Sequence, residues 1–210
     1  MRVYIFLHGK LSEGKYYRMH YDLTRRESDI VICANGGYKT AISLDIEPQM
    51  VVGDLDSLQE TEIDPKITVL QYPPQKDHSD FELALMEAVK LKPEKVFVYG
   101  ALGGRKDHEI INVNLLAHAA VPIVFLEEEV EIYNVIRELE ITEKKGRICS
   151  LVTFGESCHV EASEGFRYPL NDEILLPSSR GLSNVIDGDK ACIRVKHGEL
   201  LVIVTSHSEG

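Results

Sequence analysis

Short apolar, β-branched runs alternate with helix-like stretches through roughly the first 135 residues, and this alternation limits the fold more than any other feature of the chain. The strand-like runs cover residues 2–7, 30–33, 50–52, 67–70, 95–99 and 122–126. Glycine turns, or the Tyr72-Pro73-Pro74 stop, close several of them. Residues 81–91 are apolar on nearly every side, as in a well-buried helix, and residues 110–119 are also helical. Strands and helices in this order predict a mostly parallel sheet covered on both faces, a Rossmann-like α/β domain over residues 1–135.

From about residue 138 the helical period disappears. Residues 147–154, 159–162, 166–170, 190–196 and 199–205 read as strands joined by short turns, with His197-Gly198 as a two-residue hairpin connection. Residues 136–210 are therefore expected to form a compact, antiparallel, all-β domain without a long helix.

The chain carries 23 basic and 34 acidic residues, a formal net charge of −11. Such a surface repels a phosphate backbone, which argues against nucleic acid as a partner. It leaves room for a nucleotide whose charge a bound cation screens, and it favours a cationic substrate. With 44% apolar residues, each part can bury a core. The longest apolar runs, near residues 3–7, 121–126 and 200–204, have strand length, so no membrane association is expected. Only Arg2 precedes the first of them, which runs straight into His8-Gly9-Lys10; this is neither a signal nor a transit peptide, and a cytoplasmic location is expected. Cys33, Cys149, Cys158 and Cys192 are scattered without a C-x-x-C and read as buried, reduced thiols.

In open α/β sheets ligands bind beyond the carboxyl ends of the strands, and four unusual segments fall there. Ala34-Asn35-Gly36-Gly37 follows one strand; its glycines allow close backbone approach to a ligand, although a Gly-Gly pair is more often only a turn. Gly53-Asp54-Leu55-Asp56-Ser57 follows the next, offering two carboxylates to a hard cation or, more blandly, a solvated turn. Lys76-Asp77-His78-Ser79-Asp80 precedes the helix at Phe81. Asp77 and Asp80, three apart, would share a face of its first turn, where acids also serve as caps. Gly100-Ala101-Leu102-Gly103-Gly104-Arg105-Lys106-Asp107-His108 combines glycine flexibility with cations suited to phosphate. Carboxylates for a metal beside cations for phosphate suit phosphoryl-type transfer, where positioning and charge neutralisation carry most of the catalysis. Neither a Walker A motif nor a kinase glycine loop is present.

In this order the four motifs resemble the signature of thiamine pyrophosphokinases. The resemblance continues through Gly165-Phe166-Arg167-Tyr168-Pro169-Leu170 and Ser178-Ser179-Arg180-Gly181-Leu182-Ser183-Asn184. It implies an N-terminal α/β nucleotide-binding domain followed by a β-sandwich that binds thiamine. It also implies a homodimer with active sites at the subunit interface. The implied reaction moves the pyrophosphoryl group of ATP to the hydroxyl of thiamine, releasing AMP. On this resemblance Asp54, Asp56, Asp77 and Asp80 are the catalytic carboxylates and Mg²⁺ ligands. Asn35, Gly36, Gly37, Lys76, Gly103, Gly104, Arg105, Asp107 and His108 line the ATP site, and Ser179, Ser183 and Asn184 contact thiamine. A carboxylate of Asp77 or Asp80 is the candidate general base. Family members commonly carry aspartate where this chain has Asn35, which keeps a carbonyl oxygen but loses the charge. Two other readings stay open at this stage: a Mg-dependent phosphohydrolase, and a non-catalytic nucleotide- or thiamine-binding regulator.

Overall fold

β1 (Arg2–Phe6) is buried on both faces, with Val3, Tyr4, Ile5 and Phe6 all at 0% exposure, which is what a central parallel strand requires. The computed structural model describes the chain apart from residues 10, 12–13, 59–61, 76 and 209–210 and the side chains at 207 and 208. After β1 come α1 (Gly14–Thr24), β2 (Ile30–Ala34), α2 (Gly37–Ser43), β3 (Met50–Gly53), β4 (Thr68–Gln71), α3 (Asp80–Lys90), β5 (Lys95–Tyr99), α4 (Lys106–Ala117) and β6 (Ile123–Leu126). The strand order is β6-β5-β1-β2-β3-β4, and each of these pairs is parallel. From β1 the chain builds outward to β4, then returns to place β5 on the other side of β1. The order therefore reverses between β1 and β5, where such sheets open a ligand crevice.

The later part of the chain is strand-rich: β7 (Val130–Val135), β8 (Glu138–Thr142), β9 (Arg147–Glu164), β10 (Asn171–Leu175), β11 (Asn184–Val185) and β12 (Lys190–Ser208). β12 pairs antiparallel with β7, β8 and β9, while β9 pairs with β10 and β11. Leu151, Val160, Leu170, Ile186, Ile193 and Val202 belong to its core. By compactness the chain divides into Met1–Leu115 with Ile123–Glu128, and Leu116–Pro122 with Glu129–Gly210. The division falls ahead of 135/136 because β7 is paired along its length with β12.

Several sequence-based expectations are corrected here. His197-Gly198 is not a hairpin connection. Residues 190–196 and 199–205 are parts of one strand, β12, and both pair with β9 rather than with each other. The ladder shifts register on either side of His197, so the dipeptide marks a bulge. Likewise 147–154 and 159–162 belong to one strand, β9. Residues 166–170 contribute only the isolated bridge Phe166–Ile186, because side chains hold that backbone: Ser163 accepts from Leu170 N–H at 2.7 Å and Asn184 from Tyr168 N–H at 3.0 Å. All four cysteines are buried and free, and burial alone pushes the Cys149 thiol up to about 12. Among the described residues no helix is long and apolar enough to cross a membrane.

Candidate functional site

The carboxyl ends of β1, β2 and β5 stand side by side and open a cleft of about 300 Å³. Its walls come from Leu7, His8 and Gly9 after β1, Asn35 and Gly36 after β2, Gly100–Leu102 after β5, Ser79–Phe81 at the start of α3, Gly104 and Arg105 leading into α4, and His108 in its first turn. Of the residues expected at the ATP site, Asn35, Gly36, Gly104, Arg105 and His108 line it, and Asp80 joins them; Gly37, Gly103 and Asp107 do not. A Cβ on Gly37 would lie 1.9 Å from the carbonyl oxygen of Phe6, so that glycine serves the packing of α2 against β1. Lys76 lies outside the described residues.

Asn35 sits at the centre of the acidic side of the site with a left-handed backbone (φ 45°) that asparagine tolerates better than most residues. Its amide nitrogen donates to Asp54 Oδ1 (2.9 Å), Asp56 Oδ1 (2.8 Å) and Asp80 Oδ2 (3.1 Å). Gly53 permits this approach, since a Cβ there would lie 2.9 Å from Asn35 Cβ and 3.0 Å from Asp80 Oδ1. The hydrogen bond from Asn35 is the main reason the Asp56 carboxyl is held below the usual carboxylate range. Among the described residues no group of His, Cys, Asp and Glu already stands at metal-ligand spacing, because the three carboxylates meet at an amide nitrogen.

Asp77 does not join this group in any contact between described residues. The expectation that it shares a helical turn with Asp80 is corrected: Ser79 caps α3 by accepting from Glu82 N–H at 3.2 Å, so the helix begins at Asp80 and Asp77 is exposed ahead of it. Residues 106–108 in turn belong to the first turn of α4, which starts earlier than the expected residue 110. Arg105 grips Asp107 through two bonds of 3.1 and 2.6 Å, but both are largely exposed, and the pair adds little stability.

Sequence reasoning missed the supports of this cleft. Glu127, just after β6, is 9% exposed and accepts from Tyr17 Oη of α1 (2.7 Å) and from Leu102 N–H (3.3 Å). Burial raises its carboxyl above the usual range, with the Tyr17 bond opposing. Asn112 of α4 fixes the same turn by donating to Ala101 O at 2.9 Å. Glu127 opens an acidic run, Glu127-Glu128-Glu129, that looks solvated in sequence; the clue available was its place at a strand's carboxyl end.

A smaller cleft in the strand-rich unit, about 90 Å³, is lined by Leu151, Tyr168, Leu170, Arg180, Gly181, Leu182 and Asn184. Ser179 and Ser183 are exposed beside it in the chain and are not part of the lining. Asn184 is 4% exposed; its Oδ1 accepts from Tyr168 and Val185 N–H, and its Nδ2 donates to Tyr168 O.

Parallel strands that present carboxylates and an arginine around a switch-point cleft define an α/β protein with a ligand site in its first unit. The family model for "Thiamin pyrophosphokinase, catalytic domain" matches residues 21–126, and that for "Thiamin pyrophosphokinase, vitamin B1 binding domain" matches residues 136–200. A thiamine pyrophosphokinase of Bacillus subtilis is 29% identical over 188 residues, covering 84% of this chain and 87% of the relative. The crystal structure of a thiamine pyrophosphokinase from B. subtilis superimposes with a TM-score of 0.83 at 26% identity, covering 99% of this chain and 100% of that one. One from Geobacillus thermodenitrificans shares the fold with a TM-score of 0.83 at 24% identity, covering 100% and 99%. The chain belongs to the thiamin pyrophosphokinase family, and its function is that of a thiamine pyrophosphokinase, a kinase-class transferase of thiamine diphosphate biosynthesis.

Proposed function

We propose that the protein transfers the pyrophosphoryl group of ATP to the hydroxyl of thiamine in the cleft at the β1–β5 reversal, yielding thiamine diphosphate and AMP. The observation that supports this placement best is the convergence of Asp54 and Asp56, from the loop after β3, and Asp80, from the start of α3, on one point beside that cleft. Such a set of hard oxygen donors fits magnesium, with Asp77 as a further ligand from the exposed segment before α3. When bound, Mg²⁺ supplies charge neutralisation and orientation for the phosphate oxygens.

The chain's own groups do the rest. Arg105 neutralises the triphosphate and Asp107 fixes its guanidinium. Asn35, Gly36, Gly104 and His108 form the nucleotide-binding surface, with Gly37 packing α2 behind it and Lys76 as a second cation. Asp80 or Asp77 takes the proton of the attacking hydroxyl. In the second unit, read as a β-sandwich, Ser179 and Ser183 offer exposed hydroxyls to thiamine, and Asn184 holds Tyr168 in place beside them. The homodimeric part of this reading, with active sites at the subunit interface, rests on the resemblance alone; the cytoplasmic part rests on apolar runs of only strand length.

Incubation with ATP, Mg²⁺ and thiamine, followed by chromatography of nucleotides and thiamine esters, tests the reaction. Equal amounts of AMP and thiamine diphosphate are expected. ADP with thiamine monophosphate would place the attack at the γ-phosphorus, and nucleotide hydrolysis without an ester would favour the phosphohydrolase.

A further inference from the structure

Asn35 carries one amide nitrogen with two hydrogens, yet three carboxylate oxygens lie 2.8–3.1 Å from it. The side chain is 7% exposed, and its other polar atom, Oδ1, is buried without a hydrogen-bond partner. Buried amides are normally satisfied at both ends. Here the amide is oriented so that its positive end meets the acids while its carbonyl goes unpaired. The N–H groups therefore take the place among the three carboxylates that a cation takes in a metal site.

We propose that Asn35 is a positioning residue, a neutral cross-link that keeps Asp54, Asp56 and Asp80 assembled without metal and competes with the incoming cation for their oxygens. The inference rests on the reading of this trio as the magnesium site. Its physical basis is that an N–H donor and a cation require the same carboxylate lone pairs. A site built this way is preformed in the empty protein but binds its cation more weakly. An aspartate at this position would give the opposite: a self-repelling empty site and tighter binding.

Asn35→Asp and Asn35→Gly test this, since both residues accept the left-handed backbone. Thermal unfolding is followed with and without Mg²⁺, and Mn²⁺ binding is measured by electron paramagnetic resonance. Without metal both variants should melt below the wild type, and Mg²⁺ should raise their melting temperatures by more than it raises the wild type's. Mn²⁺ should bind Asn35→Asp roughly tenfold more tightly, the lower end of what changing a group that orients metal ligands does. Melting and Mn²⁺ affinities indistinguishable from the wild type in both variants would overturn the cross-link. Asp54→Asn separates the two levels. If it abolishes Mn²⁺ binding while the Asn35 variants behave as wild type, only the cross-link fails; if Mn²⁺ binds it unchanged, the metal site itself is misplaced. Should Asn35→Asp fail to fold, Asn35→Gly carries the comparison.

Discussion

Two buried asparagines, one in each unit, are used in opposite ways. Asn184 has both ends of its amide committed to backbone groups, accepting from Tyr168 and Val185 N–H and donating to Tyr168 O. Asn35, equally buried, directs its nitrogen at three side-chain carboxylates and leaves its carbonyl oxygen unpaired. The first is the ordinary solution for a buried polar group, in which satisfaction holds a loop in shape. The second breaks that rule, and violations of it concentrate where function requires them. The parallel unit thus holds unmet polar capacity at its strand ends, whereas the antiparallel unit uses the same residue type as structure.

The contrast can be attacked from either side. Asp54→Ala should lower turnover by roughly three orders of magnitude, as expected for loss of a metal-holding carboxylate, with little change in melting temperature. Steady-state assays beside thermal unfolding check this, and normal turnover would remove the acid trio from the mechanism. Asn184→Ala should do the reverse. It leaves two backbone N–H groups without their acceptor and should cost about 2–4 kcal/mol in chemical denaturation. A cost near zero would show that Tyr168 does not depend on this amide. Ser183→Ala should raise KM for thiamine about fivefold with kcat nearly unchanged, the size of one hydrogen bond to a ligand; equal loss in both constants would contradict a simple binding role.

The smallest effect concerns pH. A carboxyl whose folded pKa is raised, as burial does for Glu127, contributes stability that is full below its unfolded value of 4.5 and is lost as pH rises through the folded value. Glu127→Gln removes that loss, so the variant should gain on the wild type as pH rises above 4.5, measured as the difference in melting temperature from pH 4 to 8. A flat difference would mean that Glu127 is not desolvated when folded. Should KM for ATP rise at the same time, Glu127 also sets the Gly100–Leu102 wall of the cleft.

In the parallel unit the sequence was informative because every strand except the edge strand β4 is buried on most of its length, so apolar runs and their ends coincide with structure: the expected run at 95–99 is β5, and that at 30–33 is one residue short of β2. The site motifs were legible for the same reason, each following such a run. Asp77 shows the limit. Its spacing from Asp80 suits a helix, but the Ser79 cap decides where the helix starts, and a cap is a local choice that periodicity does not report. In the second unit the failures were larger. β7, β8 and β10 were not read, and the long strands β9 and β12 were broken at 155–158 and 197–198, where glycines at Gly155 and Gly198 imitate turns.

By itself, then, the sequence determined the succession of buried strands and helices in the first unit, the acids and arginine at their ends, and a change to strands, which it placed near residue 138. These depend on local burial and turn chemistry, which neighbouring residues encode. Only the tertiary structure decided that β1 lies between β2 and β5, that acids at 54, 56 and 80 meet on the Asn35 amide, and that a Gly at 198 continues a strand instead of ending it. Strand order and register are set by pairing between residues far apart in the chain, and no local window of sequence contains both partners.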